Sequence, residues 1–203
     1  MQIPPNANES AFTATCTLRD AREDDLPAIV EIYNASIPGR LATADTQPVT
    51  VEARRPWFQD RDWSRYPIWV IEEGAKASQG ACEAAPAGSS SPDSSVVAWL
   101  SFGKFYGRPA YAATAEVSIY VAPVAHRRGH AARLIAHAIQ EAPRLGLTTL
   151  LGFVFAHNQP SIALCMRFGF ASWGHLPRVA VLDGVEKDLQ ILGLRPTSAT
   201  PIE

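Results

Sequence analysis

The chain has 203 residues, with 18 Lys and Arg against 20 Asp and Glu and a formal net charge of -2 at pH 7. This length suits one domain with a well-buried core and is short for two. The slight acidic balance argues against a general nucleic-acid or anionic-membrane binder, which needs a surplus of basic residues. A small-molecule partner is therefore expected.

Three cysteines are odd in number and have no paired metal-ligand spacing: Cys16, Cys82 and Cys165. They indicate neither a disulfide framework nor a zinc site, so no metal is expected. No apolar run approaches the length of a bilayer span, and the N-terminus lacks the basic start and apolar centre of a signal peptide. We therefore expect a cytoplasmic protein that does not associate with membranes.

The first residues predict a tail, a strand and a helix. Residues 1–14 are polar, contain proline and show no periodicity, which is typical of a disordered tail. Structure should begin near Thr15, with Leu18 in a strand, and Asp24 or Asp25 should cap a helix. The apolar residues of this helix recur at helical spacing: Leu26, Ile29, Val30 and Tyr33.

An irregular loop is predicted over residues 34–50, because prolines and a glycine interrupt it. A second helix then spans 51–60 and turns Trp57 and Phe58 toward the core. Strands follow at 68–71 and 96–102, with no helix predicted between them, so we expect them to pair as antiparallel neighbours.

The connection between these two strands, about 74–95, is rich in Ala, Gly, Ser and Pro and low in charge. This composition predicts a flexible surface loop. A lid is the alternative interpretation, since such long loops are uncommon in a compact domain.

The second half of the chain alternates strands and helices. Residues 114–121 show strand periodicity, and Leu134, Ile135, Ala138 and Ile139 then share one face of a helix that ends near Gly146. Residues 147–155 are almost continuously apolar, as expected for a strand that is covered on both faces.

The C-terminal part predicts one more helix and a hairpin. Pro160 near the start of the helix and Gly169 just beyond its end follow the usual asymmetry of these residues. Strands at 179–182 and 185–192 flank an Asp-Gly pair, which suits a tight turn. These elements predict a mixed α/β fold in a single domain over 15–195, followed by a C-terminal tail at 196–203.

One segment predicts an anion site at the start of a helix. A strand runs into a short basic loop with Gly129 flanked by Arg127 and Arg128, and an amphipathic helix follows. Glycine lets backbone amides approach an anion, and a helix N-terminus supplies free N–H groups and a positive dipole end. Taken alone, the loop is also compatible with ordinary turn chemistry and a solvated arginine pair.

The order of these pieces resembles the GNAT superfamily of acyl-CoA-dependent N-acyltransferases, with its pattern Gln/Arg-x-x-Gly-x-Gly/Ala. The matching residues, which the resemblance implies as cofactor contacts, are His126, Arg127, Arg128, Gly129, His130 and Ala131. His126 departs from the pattern, which weakens the side-chain contribution at that position and leaves the backbone site intact.

Further motifs resemble the phosphinothricin and methionine-sulfone acetyltransferase branch, over residues 17–195. They are Arg108, Tyr111, Thr-Ala-Glu-Val-Ser-Ile-Tyr-Val at 114–121, His-Asn-Gln-Pro-Ser at 157–161 and the helix at 162–170. The resemblance implies a central, mostly antiparallel sheet with one splayed parallel strand pair, flanked by helices. It also implies acetyl-CoA as co-substrate, an acceptor of the phosphinothricin, methionine sulfone or sulfoximine type, and a homodimer.

The same resemblance assigns roles to residues. Glu116 matches the general base. As a lone carboxylate in an otherwise apolar and small-residue strand, it is also the best candidate by its chemistry. An exposed glutamate on a half-buried strand is the alternative.

The backbone of Ile119, Tyr120 and Val121 would hold the pantetheine arm. Asn158 and Ser161 match cofactor contacts and also suit helix capping. Arg167 matches a basic cofactor contact or is a solvated helix residue. Arg108 and Tyr111 match positions near the acceptor, where a guanidinium could grip a carboxylate or phosphinate.

Cys165 departs from the branch, where Tyr or His commonly stands as a proton donor. A cysteine with an ordinary pKa could donate this proton, but a buried structural thiol is expected there, and water would then protonate the leaving thiolate. Two alternatives remain outside an active enzyme of this branch: an acyl-CoA-binding protein with weak turnover, and a family member that acts on a different amine. A nucleotide-binding oxidoreductase is disfavoured, because no Gly-x-Gly-x-x-Gly follows the first strand.

Overall fold

The computed structural model describes residues 16–74 and 94–196. The predicted N-terminal tail, nearly all of the predicted C-terminal tail and most of the predicted loop at 74–95 lie outside these residues. Within the described part of the chain, no helix is long and apolar enough to cross a bilayer.

Four α-helices and seven strands form the described part of the fold. The strands are β1 Cys16–Asp20, β2 Ile68–Gly74, β3 Ser94–Lys104, β4 Thr114–Val121, β5 Thr149–Phe155, β6 Ala171–Leu182 and β7 Val185–Leu194. The helices are α1 Leu26–Ser36, α2 Val51–Gln59, α3 His130–Glu141 and α4 Gln159–Arg167. The order of elements agrees with the sequence prediction.

The strands form one mixed sheet in the order β1-β2-β3-β4-β5-β7-β6. All neighbours are antiparallel except β4 and β5, which are parallel and pair only from Thr114–Thr149 to Glu116–Leu151. The predicted antiparallel pairing of β2 with β3 and the single splayed parallel pair are both confirmed.

Helices cover the two faces of this sheet with separate cores. On one face, Leu134, Ile135 and Ala138 of α3 are buried, which confirms three of the four positions predicted for that helix; Ile139 is partly buried at the edge of the same cluster. On the other face, Ile29 of α1 and Phe58 of α2 pack with the sheet. Alternation along β4 sends Val117, Ile119 and Val121 into the α3 core, whereas Tyr120 joins the α1 core.

The hairpin extends further than the sequence predicted. Its first strand begins at Ala171 rather than at residue 179. Irregular register between Ser172 and Gly174 and between Leu176 and Ala180 breaks the alternation that a sequence search depends on, and Arg178 has a positive φ of 51°. The strand was therefore missed where it bulges.

The predicted cap of α1 also has a different role. Asp25 directly precedes the helix, but its carboxylate accepts two hydrogen bonds from Arg19, at 2.6 and 2.8 Å, and one from the Arg22 amide. Arg19 also donates to Glu72 on β2. This network ties β1, β2 and the start of α1 together.

Burial alone would raise the pKa of Asp25, but the hydrogen bonds from Arg19 and the Arg22 amide outweigh it and hold the pKa below its ordinary value. The network therefore stabilises the fold above the pKa that Asp25 has in the unfolded chain. This stabilisation is lost as pH falls through the lower pKa of the folded state.

We expect Asp25→Asn to lower the free energy of unfolding by about 3 kcal/mol at pH 7, because Arg19 loses a buried charged partner. Urea denaturation at pH 7 and at pH 3 would measure the change, and the difference between variant and parent should shrink at the lower pH. The matched control is Asp24→Asn, since Asp24 is exposed. Equal effects of the two substitutions would contradict the role of the network.

Candidate active site

The parting of β4 from β5 opens a cleft of about 1620 Å³. Beyond the last pair, Glu116 with Leu151, the strands no longer hydrogen-bond to each other, while β4 stays paired with β3 as far as Val121. The backbone groups on the other edge of β4 therefore face the cleft. This volume exceeds that of a typical single-ligand pocket and leaves room for two ligands.

The structure brings most of the predicted site residues together around this cleft. Those that line it are Glu116, Ile119, Tyr120, Val121, His126, Arg127, Gly129, His130, Ala131, Asn158, Ser161 and Arg167, together with Cys165. Three predicted residues do not line it: Arg108, Tyr111 and Arg128.

The start of α3 has the geometry of an anion site. Gly129 precedes the helix with a φ of 86°, and a Cβ built on it would meet nothing within 4 Å. Arg127 also has a positive φ, of 63°. No side chain caps the helix, so its first amides remain available to an anion in the open space beside Gly129.

Glu73 of β2 lies close to two side chains of this loop. The Arg128 guanidinium lies 3.1 Å from Glu73 Oε2, and Nε2 of His130, which is only 6% exposed, lies 3.0 Å from Glu73 Oε1. His130 therefore offers an anion its backbone, and Arg128 is held at the loop's outer side. His126 Nε2 lies 3.0 Å from the Val121 carbonyl oxygen and connects the loop to the end of β4.

Residues at the start of α4 link the cleft wall to the loop at 37–50. The buried Asn158 accepts a hydrogen bond from the Ser161 amide and donates one to the Leu41 carbonyl, at 3.0 Å. The neighbouring His157 Nε2 lies 2.8 Å from the Arg40 carbonyl oxygen. Asn158 thus caps the helix, as its alternative interpretation held, and it also fixes the loop.

A second contact holds the same loop from the other end of the chain. The Arg40 guanidinium donates two hydrogen bonds, of 2.8 and 2.9 Å, to the Asp183 carboxylate in the β6–β7 turn. This loop carries Leu41 and Thr43 along the cleft. The loop at 37–50, which forms one wall of the cleft, is therefore held by α4 and by the β6–β7 turn.

Glu116 is half-buried in the cleft, and burial raises the pKa of its carboxyl group. No side chain of the described residues forms an ion pair or hydrogen bond with it. A carboxylate of this kind is a stronger base than one in water, because its proton is harder to lose.

Cys165 lines the cleft from α4 but is 91% buried, given its exposed fraction of 9%. Burial raises the pKa of its thiol to about 11. The thiol is therefore protonated at neutral pH and is a weak acid, in line with the expected structural thiol.

Arg108 and Tyr111 lie outside the cleft, at a short turn between β3 and β4. Arg108 is exposed, and the Tyr111 ring packs against Phe105, 5.4 Å between ring centroids. Phe105 in turn stacks on Phe153, which lines the cleft. Tyr111 is thus connected to the cleft through Phe105 and Phe153, whereas Arg108 lies outside the cleft.

On the α1 face, the cleft is bordered by residues that the sequence prediction missed. They are Tyr33, Thr43, Asp45, Arg54, Trp57, Trp99 and Ser101. Helical spacing identified Tyr33 and Trp57 only as core residues, and the loop and α2 carry no motif. The hydroxyl group of Tyr33, at a core position of α1, was the one indication of a site on this face, and it is a weak one.

Comparisons with known proteins agree with this geometry. A family model described as the acetyltransferase (GNAT) family matches residues 29–170. A relative named "Putative phosphinothricin acetyltransferase YwnH", from Bacillus subtilis (strain 168), is 44% identical over 87% of this chain and 97% of that protein. A second, named L-methionine sulfoximine/L-methionine sulfone acetyltransferase, from Pseudomonas aeruginosa, is 29% identical over 92% of this chain and 99% of that protein.

A solved structure of yncA from Salmonella typhimurium, with its cofactor acetyl-CoA, superposes with a TM-score of 0.76 at 28% identity. The match covers 92% of this chain and 97% of that chain.

Proposed function

This chain belongs to the acetyltransferase (GNAT) family, and we propose that it transfers an acetyl group from acetyl-CoA to the primary amine of a small amino-acid-like acceptor. The names of its relatives support acceptors of the phosphinothricin and methionine sulfone or sulfoximine type. The observation that carries the proposal is the cleft itself, which joins an anion site at α3 to the half-buried Glu116.

The described residues fit acetyl-CoA. The open space beside Gly129, where an added Cβ would meet no protein atom, leaves the first amides of α3 free for a pyrophosphate. The freed edge of β4 at Ile119, Tyr120 and Val121 can pair with the amides of a pantetheine arm, and Ser161 and Arg167 border the same side. When bound, acetyl-CoA supplies the activated acetyl thioester.

In the proposed mechanism, Glu116 accepts a proton from the acceptor's ammonium group, directly or through a water molecule. The neutral amine can then attack without a covalent enzyme intermediate, and a free backbone N–H of β4 stabilises the negative charge on the thioester oxygen. Water protonates the leaving thiolate in this proposal, because Cys165 is buried and is expected to be a structural thiol.

Arg108 and Tyr111 remain proposed acceptor contacts at the outer end of the aromatic group that includes Phe105 and Phe153. We also propose a cytoplasmic location, which suits the free thiols of Cys16 and Cys165.

A homodimer is proposed from the outer strand of the sheet. β6 ends the strand order, and its exposed apolar residues form a patch with the start of β7: Trp173, Leu176, Val179, Val181 and Val185. An exposed apolar edge of this kind is typical of an interaction surface.

The direct test of the function is release of free thiol from acetyl-CoA with a panel of amino acids and analogues. Turnover with phosphinothricin or methionine sulfone supports the proposal. Tight acetyl-CoA binding without turnover on any amine would instead identify an acyl-CoA-binding protein.

Gly129→Val should raise the KM for acetyl-CoA by about tenfold or more, a binding loss of about 1.4 kcal/mol, because the new side chain fills the anion site. Gly146→Val is the matched control, since Gly146 is exposed, has a φ of 70° and lies away from the cleft. Both substitutions place a valine at a positive φ, so the two variants should have melting temperatures that are lowered by similar amounts. An unchanged KM in a folded Gly129→Val protein would contradict the anion site.

Glu116→Gln should lower kcat by about 10² to 10⁴-fold, the usual effect of losing a general base, with little change in acetyl-CoA binding. In the parent, activity should fall as pH drops through the raised pKa of Glu116, because only the carboxylate accepts a proton. This fall in activity at low pH should be absent in Glu116→Gln. The loss of kcat in the variant should shrink as pH approaches the pKa of the amine.

Cys165→Ala is the control in the same pH series and should cost far less, because it removes only a small apolar volume. A large loss at Cys165 together with a small, pH-independent effect at Glu116 would reverse the assignment.

Light scattering after gel filtration should give the mass of a dimer at micromolar concentration. Val181→Glu should weaken the dimer by more than about tenfold, since a charge would be buried in the interface. Val124→Glu, at a valine outside the hairpin that is 80% exposed, should not. A monomeric parent protein would rule the interface out.

A further inference from the structure

Arg54 borders the cleft and forms an ion pair with Asp45 that is too long to be a hydrogen bond. Its side chain is 28% exposed, and its Nη2 lies 3.6 Å from Asp45 Oδ2, beyond hydrogen-bond distance. Within residues 16–74 and 94–196, no group accepts a hydrogen bond from this guanidinium. By contrast, Arg19 and Arg40 each donate two short hydrogen bonds to a single carboxylate.

Aromatic rings hold Arg54 in place. The guanidinium carbon lies 4.6 Å from the centre of the Tyr33 ring and 5.6 Å from that of Trp57. Stacking of this kind orients the plane of the guanidinium and leaves the N–H groups on its edge free. A fixed plane with free edge donors is the geometry that binds a carboxylate through two hydrogen bonds.

Arg54 faces the same side of the sheet as Glu116. Alternation along β4 places Glu116, Ser118 and Tyr120 on the face covered by α1, opposite the residues that pack against α3. The Tyr120 ring packs against the Tyr33 ring, 5.0 Å between centroids, and Tyr33 lies beneath Arg54. Glu116, Tyr120 and Arg54 all line the cleft.

The anion site of the cofactor lies elsewhere, at the start of α3. Arg54 is a cation on the α1 side of the same cleft, and its N–H groups form no hydrogen bond with Asp45, so it points to a second anionic group, carried by the other ligand. Asp45 lies near Arg54 as an ion-pair partner, but its Oδ2 accepts a hydrogen bond of 2.6 Å from Tyr33 and lies 3.6 Å from the guanidinium, so the N–H donors of Arg54 stay available to a ligand.

We propose that Arg54 binds the carboxylate of the acceptor through two hydrogen bonds and so selects amino acids over amines that lack this group. The inference rests on the proposed acetyl transfer and adds the residue that determines which amines are accepted. The acceptor then lies with its amine toward Glu116 and its carboxylate toward α2.

The test compares L-methionine sulfone with its α-carboxamide, which keeps the amine and the side chain but lacks the negative charge. The ratio of kcat/KM for the two acceptors is measured in the parent and in Arg54→Gln, Arg54→Lys and Arg55→Gln. The lower amine pKa of the carboxamide biases this ratio equally in every variant, so only differences between variants count.

Arg55→Gln is the matched control, because Arg55 is the next residue on α2, is 46% exposed and pairs with Glu23 instead of lining the cleft. Arg54→Gln should lower the preference for the carboxylate by about 10- to 100-fold, the usual effect of losing a charged hydrogen-bonded pair. Arg54→Lys should retain part of the preference, since lysine keeps the positive charge but lacks the planar pair of N–H donors that binds both oxygens of a carboxylate. Arg55→Gln should retain all of it.

The loss should appear mainly in the KM for the amino acid, with the KM for acetyl-CoA and the melting temperature close to those of Arg55→Gln. If Arg54→Gln keeps the parent's ratio while the parent is active, the assignment of Arg54 is wrong and the proposed function stands. If the parent turns over no amino acid of the panel, the proposed function fails and this inference fails with it.

Discussion

The structure depends on an interruption of hydrogen bonding between two parallel strands. β4 and β5 pair over three residues and then separate, while each stays attached to its antiparallel neighbour on the other side. A separation inside a sheet exposes backbone N–H and C=O groups that must find other partners. The fold thus offers a ligand peptide-like hydrogen bonds at its centre, without a dedicated side chain.

The two faces of the sheet carry different kinds of side chain along β4. Because side chains alternate along β4, the residues that pack against α3 are apolar, and those that face α1 include Glu116, Ser118 and Tyr120. The proposed cofactor site lies at the N-terminus of α3, and the guanidinium of Arg54 borders the other face. A single strand therefore borders both ligand regions, and a shift in its register by one residue would exchange the two sets of side chains.

The sequence predicted those parts of the fold that depend on local patterns. The helix after Gly129 follows from periodicity, β5 from its continuous apolar run, and the antiparallel pair of β2 and β3 from the absence of a predicted helix between them. The bulged part of β6 was missed because irregular register hides the alternation. The α1 side of the cleft was missed for a different reason: Tyr33 and Arg54 are brought together by tertiary packing, and nothing in the spacing of α1 and α2 records it.

The hydrogen-bonded ion pair between Arg40 and Asp183 joins residues that are 143 positions apart. The loop that forms one wall of the cleft precedes most of the sheet in the sequence, but its partner lies in the last turn of the hairpin. During synthesis, the N-terminal part of the chain therefore emerges long before the contact that completes this wall can form. Such a distant closure carries a high entropic cost until the intervening sheet has folded. The loop that carries Leu41 and Thr43 along the cleft can therefore be held by Asp183 only after the β6–β7 hairpin has been synthesised.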